Sequence, residues 1–378
     1  MYFKRFLNLS KPLKHGSYFF FGPRATGKSS LIREQLKNAV VFDLLDDDVF
    51  EELMRRPKAL SEKITPHKKL IVIDEVQKLP KLLDEVHRIL QTTKIRFLLT
   101  GSSARKLKRS GANLLGGRAR EILFFPLTSA ELPRFDLIKH LNIGGLPMIV
   151  NSKQPELDLK AYVRTYLAEE IKAEAAVRNY ERFVRFLETM ALSNGQEINY
   201  ANLASDSGVP ARTIEGYLEV LKDTLVGFEL LPFTHTKKRK AVTRSKFYFF
   251  DTGVANFLAD RYPLKENHSE IGISFEQWMI HEIRAFLSYS EKIDTLTYWR
   301  SKQEEVDLIV GRKWALEFKM AKRVKEEHFS GLRALKEEGQ ISSYALVGRF
   351  SEKGKTSDGI WYFPFELFLK NLWAGKLL

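Results

Sequence analysis

The chain has no cysteine among its 378 residues. That excludes disulfides, thiolate metal sites and cysteine nucleophiles, and it fits a reducing, cytoplasmic setting. Long apolar runs are missing too. No stretch approaches the roughly 18 residues that a membrane-spanning helix needs, so no membrane partner is expected. The opening residues MYFKRFLNLSKPLKHG lack the apolar core and small-residue cleavage site of a signal peptide. Acidic residues are in deficit: 47 Asp and Glu against 61 Lys and Arg leave a formal charge of +14. A balance of that size favours a polyanionic partner, most often nucleic acid.

The basic residues cluster. Ser102 to Arg120 holds Arg105, Lys106, Lys108, Arg109, Arg118 and Arg120 with no acid, and Thr234 to Lys246 holds Lys237, Lys238, Arg239, Lys240, Arg244 and Lys246, again with none. With 44% hydrophobic and 29% charged residues the chain reads as globular, and its length calls for two or three domains. The expected divisions are 1–150, 151–260 and 261–378.

Tyr18-Phe19-Phe20-Phe21 reads as a buried strand, and Ser30 to Leu36 carries helical spacing. Between them lies Gly22-Pro23-Arg24-Ala25-Thr26-Gly27-Lys28-Ser29, the glycine-rich loop of a P-loop nucleotide site. Its glycines let backbone N–H groups face phosphates, and the following helix N-terminus adds its dipole. Lys28 is expected at the β- and γ-phosphates of ATP and the Ser29 hydroxyl on Mg²⁺, with Ser30 completing the contact set. Leu70 to Ile73 forms a second buried strand, ending in Asp74, for the Mg²⁺ shell, and Glu75, to polarise the attacking water. A third strand, Ile95 to Leu99, ends in Thr100-Gly101-Ser102-Ser103. There Ser102, slightly ahead of Thr100, is placed to sense the γ-phosphate; a plain Ser/Gly turn is the alternative. Arg118 is the candidate for an arginine supplied to a neighbouring subunit's phosphates, against a solvated or DNA-facing arginine.

Taken together, GPRATGKSS, LIVIDEVQKLP, FLLTGSS, LLGGRAREILFFPLTSAEL and GGLP resemble the AAA-family ATPases of archaea and bacteria, many of which carry a C-terminal domain of unknown function. The resemblance implies an α/β AAA-type domain and a homo-oligomer, a hexameric ring, in which Arg118 acts in trans.

The middle of the chain reads as a helical linker followed by a winged helix. One helix begins at Ala161 and a second covers about 179–193. Asn199 to Asp206 and Arg212 to Thr224 flank the turn Ser207-Gly208-Val209-Pro210. The second of these helices buries Ile214, Leu218 and Leu221 and turns Glu215, Glu219 and Asp223 outward, which disfavours base reading. Phe228 to Leu231 and Lys246 to Phe250 are expected as wing strands with Lys237 to Lys240 at the tip, a basic element riding on a phosphate backbone or a solvated structural lid.

Downstream, a helix with Glu276, strands at 296–300, 306–310 and 314–319, a helix over about 325–338 and a strand at 343–347 follow in the order of a restriction-endonuclease-like core. Glu317 and Lys319 share one strand face. Asp307 can join them, so that two carboxylates hold Mg²⁺ while the lysine orients water, with Glu276 completing the shell. The pattern resembles the PD-(D/E)xK nucleases, including archaeal Holliday-junction resolvases. A DNA-binding domain that has lost cleavage, or an Asp307–Lys319 ion pair with no chemistry, would carry the same residues. The whole reads as an ATP-driven motor or remodeller of duplex or branched DNA, with recombination junctions among its targets. A regulatory or defence ATPase whose C-terminal domain binds a protein is the alternative.

Overall fold

Three short apolar segments in the first third, Ser17–Phe21, Leu70–Asp74 and Arg96–Gly101, are buried along nearly their whole length, which only a sheet covered on both faces allows. The computed structural model describes residues 2–63, 69–103, 115–167 and 179–378. In it β1 (Ser17–Phe21), β2 (Val40–Asp43), β3 (Leu70–Asp74), β4 (Arg96–Gly101) and β5 (Ala119–Leu123) form one parallel sheet in the order β2-β3-β4-β1-β5. Alternation sends Phe19, Phe21, Ile71, Ile73, Phe97 and Leu99 to one face, and Tyr18, Phe20, Val72, Leu98 and Ile122 to the other. Because β4 lies between β1 and β3, the carboxyl ends of all three meet at one rim.

The middle segment is helical. Helix Tyr180–Leu192 starts at Asn179, whose side chain accepts from Arg182 N, and helix Tyr200–Ser207 starts at Asn199 in the same way. Gly208 ends the latter at φ 64°, and helix Ala211–Asp223 follows. Ile214, Leu218 and Leu221 are buried, and Glu215 and Glu219 are exposed.

The expected wing strands pair with each other, and one of them gains a second neighbour. β6 (Gly227–Pro232) and β7 (Lys246–Phe249) do pair antiparallel, but Leu231 and Pro232 also pair in parallel with Thr297 and Tyr298 of β8 (Leu296–Arg300). The hairpin is therefore the margin of an eight-stranded sheet. That sheet runs on through β9 (Glu305–Val310), β10 (Trp314–Lys319), β11 (Ser343–Gly348), β12 (Gly354–Lys355) and β13 (Trp361–Pro364), in the order β12-β13-β11-β10-β9-β8-β6-β7. The helix expected over 325–338 is shorter: a 3₁₀ turn Glu326–Phe329 and then helix Ser330–Lys336.

A 19-residue helix, Ile271–Tyr289, ties the two sheets together. Phe275, Met279 and Ile283 pack in the core of the larger sheet. At the other end Ser288 Oγ accepts from Leu123 N at 3.1 Å and donates to Leu123 O at 2.8 Å, while Tyr289 OH accepts from Phe125 N at 3.1 Å. The helix thus crosses about 27 Å between the sheets.

Candidate nucleotide site and C-terminal charge cluster

The glycine-rich loop leaves the end of β1 under two backbone constraints. Gly22 has no room for a side chain, since a Cβ there would run into the carbonyl of Phe124. Gly27 sits at φ 93° as the residue before helix Lys28–Gln35. Ala25 also takes a positive φ, 62°. Thr26 Oγ1 donates to Pro23 O at 2.7 Å and closes the loop on itself. Lys28 is buried, its ammonium donating to Gly22 O at 2.6 Å and Pro23 O at 3.2 Å. Those carbonyls occupy the donors that phosphate oxygens would otherwise take.

Ser29 Oγ donates to Asp74 Oδ2 at 2.9 Å, and Thr100 Oγ1 donates to Asp74 Oδ1. The hydroxyl and the carboxylate are the oxygen pair that a magnesium ion prefers, so the residues fit Mg²⁺·ATP. Glu75 follows in the left-handed region at φ 58°, which turns its side chain off the strand. Thr100, not Ser102, is the residue that touches Asp74. Ser102 reaches the site through Gln77, whose amide donates to Ser102 Oγ at 3.3 Å and to Glu75 Oε2. Gln77 is 2% exposed, and a Cβ on Gly101 would collide with it. Sequence reasoning passed over Gln77 because a glutamine two residues beyond a carboxylate carries no spacing signal. It passed over Arg5 for the same reason. Arg5 is buried, paired with Glu131 at 2.9 Å, and donates to Thr26 O at 2.8 Å, Phe125 O at 2.7 Å and the Tyr289 hydroxyl at 3.2 Å.

Arg118 is exposed, with its guanidinium 3.1 Å from His87 Nε2. It precedes β5, at the amino-terminal edge of the sheet, whereas the loop follows β1 at the carboxyl edge. Five residues of strand separate the two edges, about 17 Å. Arg105, Lys106, Lys108 and Arg109 of the same basic run lie outside the described residues.

In the larger sheet, the antiparallel register of β9 and β10 brings Asp307 beside Glu317. Asp307 Oδ2 accepts from Phe318 N at 2.8 Å, and Lys319 Nζ lies 2.6 Å from Glu317 Oε1. Glu317 Oε2 is buried with no partner. Burial, reinforced by Glu317 and Glu276, holds the Asp307 carboxyl well above the usual range. Burial also pushes Glu317 up to about 7, outweighing the adjacent lysine. Burial opposes the charge on Lys319, yet Asp307 and Glu317 hold its pKa above the ordinary value. Two carboxylates and a lysine thus form one buried cluster, and its unpartnered Glu317 oxygen is the kind of atom a divalent cation binds. A bound ion would supply charge to a phosphodiester and to the water that attacks it.

Glu276 approaches this cluster but is engaged elsewhere. Its Oε1 accepts from Lys246 Nζ at 3.1 Å and from the Tyr248 hydroxyl. Among the described residues no three Asp, Glu or His side chains are grouped to hold a metal. Lys246, counted with the surface cluster, is 3% exposed and also pairs with Glu305. The reason is strand alternation: on β7, Lys246 and Tyr248 share the face turned to Glu276, and Phe247 and Phe249 take the other. The rest of that basic run behaves differently. The N–H groups of Lys237, Lys238 and Arg239 all donate to buried Glu338, at 2.6, 2.9 and 3.0 Å, while the side chains of Lys237, Lys238, Lys240 and Arg244 are exposed.

Comparison with known proteins agrees with the first of these sites. Residues 14–132 match the family model described as an AAA domain; 134–265 match a domain of unknown function, DUF8612, and 271–368 another, DUF4143. The uncharacterized protein MJ1544 of Methanocaldococcus jannaschii is 24% identical over 77% of this chain and 71% of its own. Among solved structures, Aeropyrum pernix ORC1 in complex with DNA aligns at 15% identity and TM-score 0.25, covering 66% of this chain and 87% of that one. Protein VC1899 of Vibrio cholerae aligns at 12% identity and TM-score 0.21, covering 90% and 97%. Likeness at that level does not establish a common fold. The uncharacterized proteins Rv2008c of Mycobacterium tuberculosis and Mb2031c of Mycobacterium bovis are 31% identical over 315 residues, 79% of this chain and 69% of theirs. The chain therefore belongs to the same family as these mycobacterial proteins, and its candidate nucleotide site lies in the residues that match an AAA domain.

Proposed function

We propose that the protein hydrolyses ATP to move or remodel duplex or branched DNA, as a ring of identical copies. The observation that carries the reading is the convergence of Lys28, Ser29, Asp74 and Glu75 on one sheet rim, in a chain whose exposed lysines stand on a loop pinned by Glu338. Lys28 binds the phosphates, Ser29 and Asp74 hold the metal, and Glu75 takes the proton of the attacking water. Arg118, too far from its own loop, serves the loop of a neighbouring copy. Lys237, Lys238, Lys240 and Arg244 contact phosphates.

The test is ATP turnover with linear duplex, single-stranded and four-way DNA. Stimulation by duplex or four-way DNA is expected. A rate unchanged by all three sinks the motor reading and favours a switch that answers to a protein partner. Replacing Lys237, Lys238 and Lys240 with alanine should flatten the log–log salt dependence of duplex binding by about 2.7, at ~0.9 per phosphate contact.

A second reading concerns the C-terminal part alone: it grips DNA without cutting it. Engagement of Glu276 by Lys246 and Tyr248 favours this, since it leaves two carboxylates rather than three for a metal. Mg²⁺-dependent nicking that Asp307→Ala removes would refute it.

A further inference from the structure

A cavity of about 310 Å³ lies where the ends of β1 and β5 face the β6–β7 hairpin. It takes in Gly22 and Pro23 but none of residues 24–30, so it is not the seat of the phosphates. Its walls are mostly apolar, and Arg284 lines it from the long helix. The guanidinium carbon stands 3.5 Å from the ring centre of Phe228 and 5.2 Å from that of Phe125. Among the described residues no carboxylate or carbonyl accepts from this guanidinium. Burial alone acts on it and lowers its pKa to about 9. The other charged residues of the cavity, Lys222 and Glu229, pair with each other at 2.9 Å and cancel. One positive charge is therefore left in an apolar chamber.

Arg284 is half-buried, so its guanidinium faces the cavity without an acceptor among the described residues and stays open to an anion there. Stacking occupies one face of the guanidinium and leaves its in-plane N–H fork for an oxyanion. The volume suits a ligand of one or two fused rings. We propose that this cavity binds a small organic anion, a flat apolar body carrying one carboxylate or sulfonate, with Arg284 as its charge partner and the Phe228 side of the chamber as its apolar wall. The site adjoins the start of the nucleotide loop at Gly22 and Pro23 and does not depend on ATP hydrolysis.

The test uses the full chain and two fluorescent probes: 8-anilinonaphthalene-1-sulfonate, and N-phenyl-1-naphthylamine, which lacks the sulfonate. The sulfonate should bind once per chain and about tenfold tighter than the neutral probe, the factor of one charge-assisted hydrogen bond. Arg284→Met should remove that preference and Arg284→Lys should keep part of it. Leu231, 57% exposed at the cavity, offers a variant that leaves the core intact, and Leu231→Trp should weaken both probes. Equal affinity of the two probes for the native chain would overturn the proposal. So would an unchanged preference in a folded Arg284→Met protein, unchanged sulfonate binding in Leu231→Trp, or one-for-one displacement of the sulfonate by ADP, which would make the cavity part of the nucleotide site.

Discussion

Gln77 donates its side-chain amide to the carboxylate of Glu75. The same nitrogen lies 3.3 Å from Ser102 Oγ, so one buried glutamine joins Glu75, the acid proposed to polarise water, to the end of β4. Gln77→Leu keeps the volume and removes the tether. The expected result is a fall in kcat of about tenfold or more with little change in KM, because the tether orients the base without touching bound phosphate. Steady-state turnover with a separate nucleotide titration measures both. A rise in KM at constant kcat would show that Gln77 serves binding instead.

Lys28→Ala should abolish detectable ATP binding, as fluorescent-nucleotide titration would show. Glu75→Gln should leave that binding within a few-fold of native and reduce turnover by about 10²–10⁴. Equal loss of binding in both variants would mean that Glu75 supports the loop and not the reaction.

Gly144 lies at φ 73° with its open side against the Asp251 carboxylate, which also accepts from Gly145 N at 2.8 Å and Val254 N at 3.1 Å. Gly144→Ala combines a strained backbone with a clash against a buried acid. A loss of about 2–4 kcal/mol is expected in urea unfolding. Gly208→Ala has the same sign of φ, 64°, but open space around it, and should cost only about 1 kcal/mol.

His281 is buried, and its Nε2 has no partner. Burial, with His140 and the cations Arg284 and Arg5 as neighbours that disfavour its charge, drives its pKa down to about 3. The folded chain therefore holds it neutral while the unfolded chain protonates it below about 6.5. Stability from this group is fully present above pH 6.5 and drains away as pH falls toward 3. At pH 5 the loss relative to pH 7 is about 2 kcal/mol, at 1.36 per unit. His281→Leu should remove that increment. Asp251, raised to about 6, and Glu282, raised to about 7, both mainly by burial, act in the opposite direction over part of the same range. The measurement is therefore the difference between native and variant midpoints at pH 5 and pH 7. No difference would place a proton acceptor beside the ring.

The nucleotide site was largely legible because its signal is local. Strand, loop and helix are contiguous from Ser17 to Gln35, and a parallel strand buried on both faces announces itself by composition, as Leu70 to Asp74 does. The contacts that finish the site are not local. Arg5 meets Tyr289 across 284 positions, and nothing near either residue predicts the other. The hairpin's place in the larger sheet was not legible for a related reason. Phe228 to Leu231 and Lys246 to Phe250 do pair with each other as local spacing indicates, but spacing cannot show that β6 has a second neighbour in β8. Lys246 looked like surface because its sequence neighbours are basic. Only the pleat direction of β7, set by the packing of Phe247 and Phe249, decides that it points inward.

The two strands that precede residue 250 also bear on how the C-terminal part can be handled. A fragment starting at 261 would lose β6 and β7 together. β8 would then present a free edge of unpaired N–H and C=O groups, the arrangement that recruits another chain's strand. The same cut would strip Lys246 from Glu276 and Glu305, leaving Glu276 beside Asp307 without its ammonium while Glu305 keeps only Arg300. Such a fragment should self-associate, whereas one beginning ahead of Gly227 keeps both the edge and the charge covered.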